Sequence, residues 1–171
     1  MTRTGGLRLL REDVTLVDVD ALVFYARHDL VLGSGFGNAI SSRGGQEIQR
    51  ELDDLAPVET CDVVVSGAGE LTANHILHAV GPRFQEEDTD AKLRKTIRSV
   101  LETANGKGLK SLALPPMGAG YYGIPLPDCA KAMVEEIRAH LSGATSLEDV
   151  VICAGDRREQ EPFEALLGKG E

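Results

Sequence analysis

Short apolar runs alternate with amphipathic stretches along most of this chain. Residues 21–25 (Ala-Leu-Val-Phe-Tyr) form a compact apolar run bounded by Asp20 and a polar segment, the pattern of a buried strand. Residues 62–66 and 75–80 repeat it with β-branched and aliphatic side chains, as do 111–114 and 149–153, and residues 7–10 make a sixth. Two stretches follow the helical period. From 90 to 107, Leu93, Ile97, Leu101 and Ala104 recur at spacings of three and four, and from 128 to 142 Ala130, Met133, Val134, Ile137 and Leu141 do the same. Glycines stand just past both, and Pro125 and Pro127 stand where the second begins. Residues 38–52 read as a helix interrupted at Gly44-Gly45, 162–167 as a terminal helix, and 168–171 as a frayed tail.

Strands alternating with helices predict an α/β domain of three layers, with helices on both faces of a sheet. The runs at 62–66 and 75–80 are too close in sequence for a crossover helix. They must therefore pair antiparallel, and the sheet is mixed. The 171 residues suit a single domain, and no repeat, linker or low-complexity stretch divides it.

Composition narrows the function. The chain is 42% hydrophobic and 26% charged, ordinary for a globular protein, but only 4% aromatic and without Trp. Few rings are available for stacking single-stranded bases. With 18 basic against 27 acidic residues the net charge is −9, which repels a phosphate backbone and argues against nucleic acid as a partner. No apolar run is long enough to span a bilayer and no apolar leader follows the first residues, so a soluble, cytoplasmic protein is expected. Cys61, Cys129 and Cys153 are odd in number and far apart, and read as buried thiols of a reducing compartment. His75 and His78 point to opposite faces of one strand and cannot chelate a shared ion.

The 19 glycines matter by placement. One cluster, Gly33-Ser34-Gly35-Phe36-Gly37-Asn38, follows the strand at 21–25 and opens a helix. Another, Met117-Gly118-Ala119-Gly120-Tyr121-Tyr122-Gly123, follows the strand at 111–114 and precedes the next helix. Glycine lets backbone turn sharply and approach a ligand, and a helix start presents unpaired N–H groups at the positive end of a dipole. Two such loops facing one another can hold a pyrophosphate from both sides, so an acidic chain can bind an anion through amides. The second loop also matches G-x-G-x-x-G, but it comes after two-thirds of the chain with one strand remaining, and prolines follow it. A dinucleotide-binding Rossmann unit requires the opposite arrangement.

Taken in order, Asp13-Val14-Thr15, the run 19–23, Leu32 to Ile40, Gly44-Gly45, the run 75–82 and Gly118 to Pro125 resemble the macrodomain family over nearly the whole chain. The resemblance implies a three-layer α/β/α fold with a six-stranded mixed sheet. It implies ADP-ribose as ligand, free or attached to a protein or metabolite, with no metal or redox cofactor. Asp13 and Val14 then belong to the adenine end, with Asp13 accepting from the adenine amino group. Residues 34–38, with Gly33 before them, form the first phosphate loop, and 117–124 the second. Tyr121 and Tyr122 lie over the distal ribose, and Gly155 lies in the segment after the last strand.

Several positions depart from the family pattern. Many members carry Asn-Ala-Ala-Asn after the strand at 21–25, but here Phe24-Tyr25-Ala26-Arg27 places Arg27 at the ribose-binding Asn. The Asp of the best-known mono-ADP-ribosyl hydrolases aligns with Gly37, and the paired glutamates of the poly-ADP-ribose glycohydrolases are absent. No aromatic follows the last strand to stack on adenine. In these respects the chain resembles the macrodomain of the large histone variant, a reader of ADP-ribose. Binding is the first expectation, hydrolysis of an ADP-ribosyl bond, ester or phosphate the second, and a site that has lost its ligand the third. Asp29 and His28 are the nearby groups able to substitute as a base, with loop roles as their plainer reading.

Overall fold

The computed structural model describes residues 2–4 and 6–168; of the expected tail, 169–171 lie outside the described residues. The strands are β1 (Thr2–Thr4), β2 (Leu7–Arg11), β3 (Ala21–Tyr25), β4 (Val63–Gly67), β5 (His75–Ala79), β6 (Ser111–Leu114) and β7 (Asp149–Ala154). The helices are α1 (Phe36–Gly44), α2 (Glu47–Asp53), α3 (Thr89–Gly106), α4 (Leu126–Leu141) and α5 (Arg157–Leu167). All six expected strands are present. A seventh, β1, adds a short antiparallel edge beside β2.

The sheet order is β1-β2-β7-β6-β3-β5-β4. The five central strands run parallel, and β4 pairs antiparallel with β5 as the short 67–74 connection requires. Alternation along each strand divides the core. Ala21, Val23 and Tyr25 join α3, α4 and α5 on one face, whereas Leu22 joins Ile40 of α1 and Ile48 and Leu52 of α2 on the other. A helix covers each face because central parallel strands are apolar on both.

The one discrepancy among the helices is instructive. The terminal helix begins at Arg157, well before Pro162. Asp156 caps it by accepting the Glu159 N–H at 2.9 Å, a start signal readable as Asp-x-x-Glu, and Pro162 sits inside the helix instead of opening it. Gly44 and Gly69 explain the break after α1. A Cβ on Gly69 would meet the Gly44 carbonyl oxygen at 2.0 Å, so the two backbones pack directly on one another.

All three cysteines are buried and free, and burial pushes the Cys129 and Cys153 thiols up to about 12. Among the buried polar side chains, Ser66 and His78 pair with one another. The Ser66 hydroxyl lies 2.7 Å from His78 Nε2, while Nδ1 is the buried side-chain polar atom without a partner among the described residues. Burial lowers His78 to about 4, because the imidazolium has no compensating anion there.

The unfolded chain, with an ordinary histidine near pKa ~6.5, takes up the proton first, so acid favours unfolding. Stability should therefore fall by about 2 kcal/mol between pH 7 and pH 5, and by about 3 kcal/mol in full once below pH ~4. Urea melts across this range should show that loss in the natural protein and most of it removed in His78→Leu/Ser66→Ala. An unchanged pH slope in the double variant would refute this assignment.

Candidate functional site

The carboxyl ends of the parallel strands lie along one edge of the sheet, and the loops leaving them form a cleft of about 330 Å³. Its walls are the segment Leu32–Phe36, which follows β3, and Pro115–Tyr122, which follows β6. Strands β3 and β6 are neighbours. Clefts of α/β sheets form at the carboxyl ends of strands for this reason. The two glycine clusters are thus opposite walls of one cavity.

The first wall is built by close backbone contacts. Gln49 of α2 braces it, accepting the Leu32 N–H at 2.9 Å and donating to the Leu30 carbonyl at 3.1 Å. Gly33 and Gly35 then take φ of +67° and +64°, conformations that side chains with a Cβ resist. A Cβ on Gly37 would stand 1.6 Å from the Leu32 carbonyl oxygen, so the first turn of α1 lies against the loop that leads into it. This contact explains the glycine at the position aligned with the hydrolases' Asp: no side chain fits there with the present backbone. The first turn of α1 has no side-chain cap, and its leading N–H groups lack intrahelical acceptors by geometry. The helix start at Gly35 and Phe36 lines the cleft, which places the positive end of the dipole beside it.

The second wall is pinned differently. Met117 is buried and its N–H meets Met133 Sδ at 3.3 Å. Ile124 donates to the Gly118 carbonyl at 3.0 Å, Gly123 to Gly120 at 2.9 Å, and Phe84 to Tyr122 at 2.9 Å. The wall is a 3-10 turn, Gly120–Tyr122, and not the start of α4. Helix α4 begins at Leu126 and does not line the cleft, so of the helices that follow the two glycine loops only α1 starts beside it.

At the β5 side stand Arg27 and two tyrosines. Tyr122 is half-buried, its ring 4.6 Å from Tyr25 and 5.1 Å from Tyr121. Burial raises the Tyr122 hydroxyl, against the lowering influence of Arg83 and Arg27. Tyr121 is 78% exposed, with the Arg83 guanidinium 5.8 Å from its ring centroid. Arg27 pairs with Asp29 at 2.7 Å, and both are about half-exposed. Asp29 lies below the ordinary carboxylate range because the Val31 N–H, and then Arg27, bond to it. Arg27 and Tyr122 also wall an adjoining hollow of about 190 Å³ that contains His28, Asp29 and Arg83.

Of the residues anticipated from sequence, Arg27, Gly33, Ser34, Gly35, Phe36, Gly118, Ala119, Gly120, Tyr121 and Tyr122 meet in the cleft. Gly37, Asn38, Met117 and Gly123 are not part of its surface, though each belongs to a segment that shapes it. Gly155 gives its N–H to Glu159 at 2.8 Å. Asp13 and Val14 lie beyond the cleft, past the end of β2. Asp13 caps a 3-10 turn, accepting from the Thr15 N–H at 2.9 Å and hydroxyl at 2.6 Å, and pairs with Arg43 at 2.5 Å. Burial raises its carboxyl, but the bonds from Thr15 and Arg43 outweigh that and hold it below its ordinary value.

Sequence reasoning missed Phe24, Tyr25, Pro115, Pro116 and Glu159 as cleft residues. Glu159 was legible only as a helix-start acid, since nothing in the order of residues shows that α5 abuts the loop after β6. A larger hollow of about 590 Å³ lies between the 55–64 segment and α3. It shares no residue with either glycine loop, so the smaller cleft, which both loops line, is the candidate site.

Comparison with known proteins agrees with this geometry. An uncharacterized protein of Sulfurisphaera tokodaii is 35% identical over 150 residues, spanning 85% of this chain and 82% of the relative. The Trypanosoma brucei macrodomain in complex with ADP-ribose superposes with a TM-score of 0.90 at 27% identity, covering 95% of this chain and 69% of that one. The same macrodomain in complex with ADP gives 0.89 at 28% identity, with coverage of 95% and 69%. The Macro domain profile matches residues 26–133, more than half of the chain and inclusive of β4, β5, β6 and both walls of the cleft, and the chain belongs to the Macro domain family.

Proposed function

We propose that this chain works as a single macrodomain that holds ADP-ribose, or an ADP-ribosyl group on a protein or metabolite, and does not cleave it. The observation that carries the reading is the pair of glycine walls facing each other across a 330 Å³ cleft at the strand ends. A diphosphate between them meets the leading amides of α1 on one side and the Gly118–Gly120 segment on the other. Such donors are neutral and fixed, so they bind an anion with Arg27 as the one cationic side chain among the described residues of the cleft lining. The Trypanosoma brucei relative, in complex with ADP-ribose and with ADP, supports the choice of ligand.

The adenosine then extends toward the β7 and β2 side, where Asp13 waits for the adenine amino group. Its carboxylate has acceptor sites beyond those used by Thr15 and Arg43. The distal ribose lies beside Arg27 and Tyr122.

Binding without hydrolysis is favoured by the state of the candidate bases. Gly37 offers no carboxylate, and Asp29 does not line the cleft and is held by Val31 and Arg27. His28 is engaged at both ring nitrogens, with the Val58 carbonyl at 2.7 Å and the Thr60 hydroxyl at 3.3 Å. A general base must reach the attacking water, and neither residue faces the cleft.

Calorimetry with ADP-ribose and with AMP should give saturable heat for the first and weaker binding for the second; silence with both at millimolar concentration would refute the assignment. Gly35 has φ +64° and no neighbour within 4 Å of a built Cβ. Gly35→Ala should therefore cost about 1–2 kcal/mol of backbone strain. Its methyl in the cleft should also weaken ADP-ribose about tenfold or more, a loss that about 1.4 kcal/mol suffices to produce. Incubation with a mono-ADP-ribosylated protein should leave the modification in place. Release that disappears in Asp29→Ala would show instead that this aspartate is a working base.

A further inference from the structure

A carboxylate is electrostatically out of place in a cleft that holds a diphosphate, yet Glu159 stands in its wall. Its side chain is 20% exposed. One oxygen, Oε1, accepts the Gly155 N–H at 2.8 Å, which fixes the rotamer. The other, Oε2, has among the described residues only a loose ion pair 3.9 Å from Arg158, whose side chain is itself 69% exposed. The charge is thus held rigidly beside the cleft and is not neutralised by a tight partner. Its place follows from the sheet order: α5 leaves β7, so Glu159 lies on the opposite side of the two glycine walls from Arg27 and the β5 end.

A fixed anionic acceptor beside a nucleotide is complementary to hydroxyl donors, and ribose presents two of them side by side. We infer that Glu159 accepts hydrogen bonds from the 2′ and 3′ hydroxyls of the adenosine ribose and, by the same charge, excludes nucleotides phosphorylated there. The inference rests on the ADP-ribose reading, with adenosine on the Asp13 side. It adds a selectivity that the amide loops cannot supply, since both forms of the ligand carry the same diphosphate. An acidic residue at the end of a strand plays this part for the ribose of dinucleotides in an unrelated sheet, where its charge likewise opposes a 2′-phosphate. Glu159 also braces Gly155, but a glutamine can accept that N–H equally well, so charge and bracing are separable.

The experiment compares ADP-ribose with ADP-ribose 2′-phosphate by calorimetry on the full chain, natural and Glu159→Gln, with melting temperatures alongside. The natural protein should prefer the unphosphorylated ligand by about tenfold or more, because juxtaposed like charges reject a wrong partner. In Glu159→Gln the preference should shrink to about threefold or less with the melting temperature unchanged, as expected when the charge and not the brace discriminates. Equal affinity of the natural protein for both ligands would overturn the inference while leaving the ADP-ribose reading intact. A Glu159→Gln variant with the natural preference would overturn it as well, and so would weak binding of both ligands that follows a fallen melting temperature. Absence of binding to either ligand would refute the ADP-ribose reading itself.

Discussion

The site depends on one van der Waals constraint: the first turn of α1 lies against the carbonyl of Leu32, five residues earlier in the chain. The space between Gly37 and that oxygen is too small for a Cβ at 1.6 Å, so the approach exists only because residue 37 is glycine. The contact sets the direction in which α1 leaves the loop, and hence where its unpaired amides point. Gly33 and Gly35, with left-handed backbones, complete the turn, and Gln49 holds its outer side. A carboxylate at residue 37 would require this loop to be rebuilt. The missing hydrolase residue and the compact first wall of the cleft are therefore two aspects of one packing choice.

Electrostatics follow from that choice. The cleft has amides in the middle, a guanidinium at the β5 end and a carboxylate at the β7 end. Its two charged side chains oppose each other in sign, so the cavity is polar in direction while nearly neutral in sum. An extended ligand with different groups at its two ends can lie in such a cleft in only one favourable orientation. Under the proposed function, a chain with a net charge of −9 accepts an anion here because the donors are main-chain dipoles fixed by the fold, which need no reorganisation when the anion arrives.

Much of the fold was legible because its signals are local. The six apolar runs, the periodic stretches that became α3 and α4, and the short link that forced β4 and β5 antiparallel all express a period or a length. Both glycine loops were legible for the same reason. What escaped the sequence was set by contacts distant along the chain. The edge strand β1 is three residues long and too short for a pattern. Pro162 hid the true start of α5, although Asp156 and Glu159 marked it. Phe24, Pro115 and Glu159 enter the cleft only through the neighbourhood of β3, β6 and β7 in the sheet, and no spacing encodes strand order. Asp13 was read by likeness to a family; the structure adds that its oxygens are already engaged by Thr15 and Arg43.

That last pair gives α1 a double duty. Its first turn fronts the cleft, while Arg43, in its last turn, pairs with Asp13 past the end of β2. The helical rise from Phe36 to Arg43 sets these two points roughly 10 Å apart along the axis. The helix thus acts as a caliper whose jaws are mechanically joined. A ligand that touched both ends would therefore meet them at a spacing fixed by a single rigid rod.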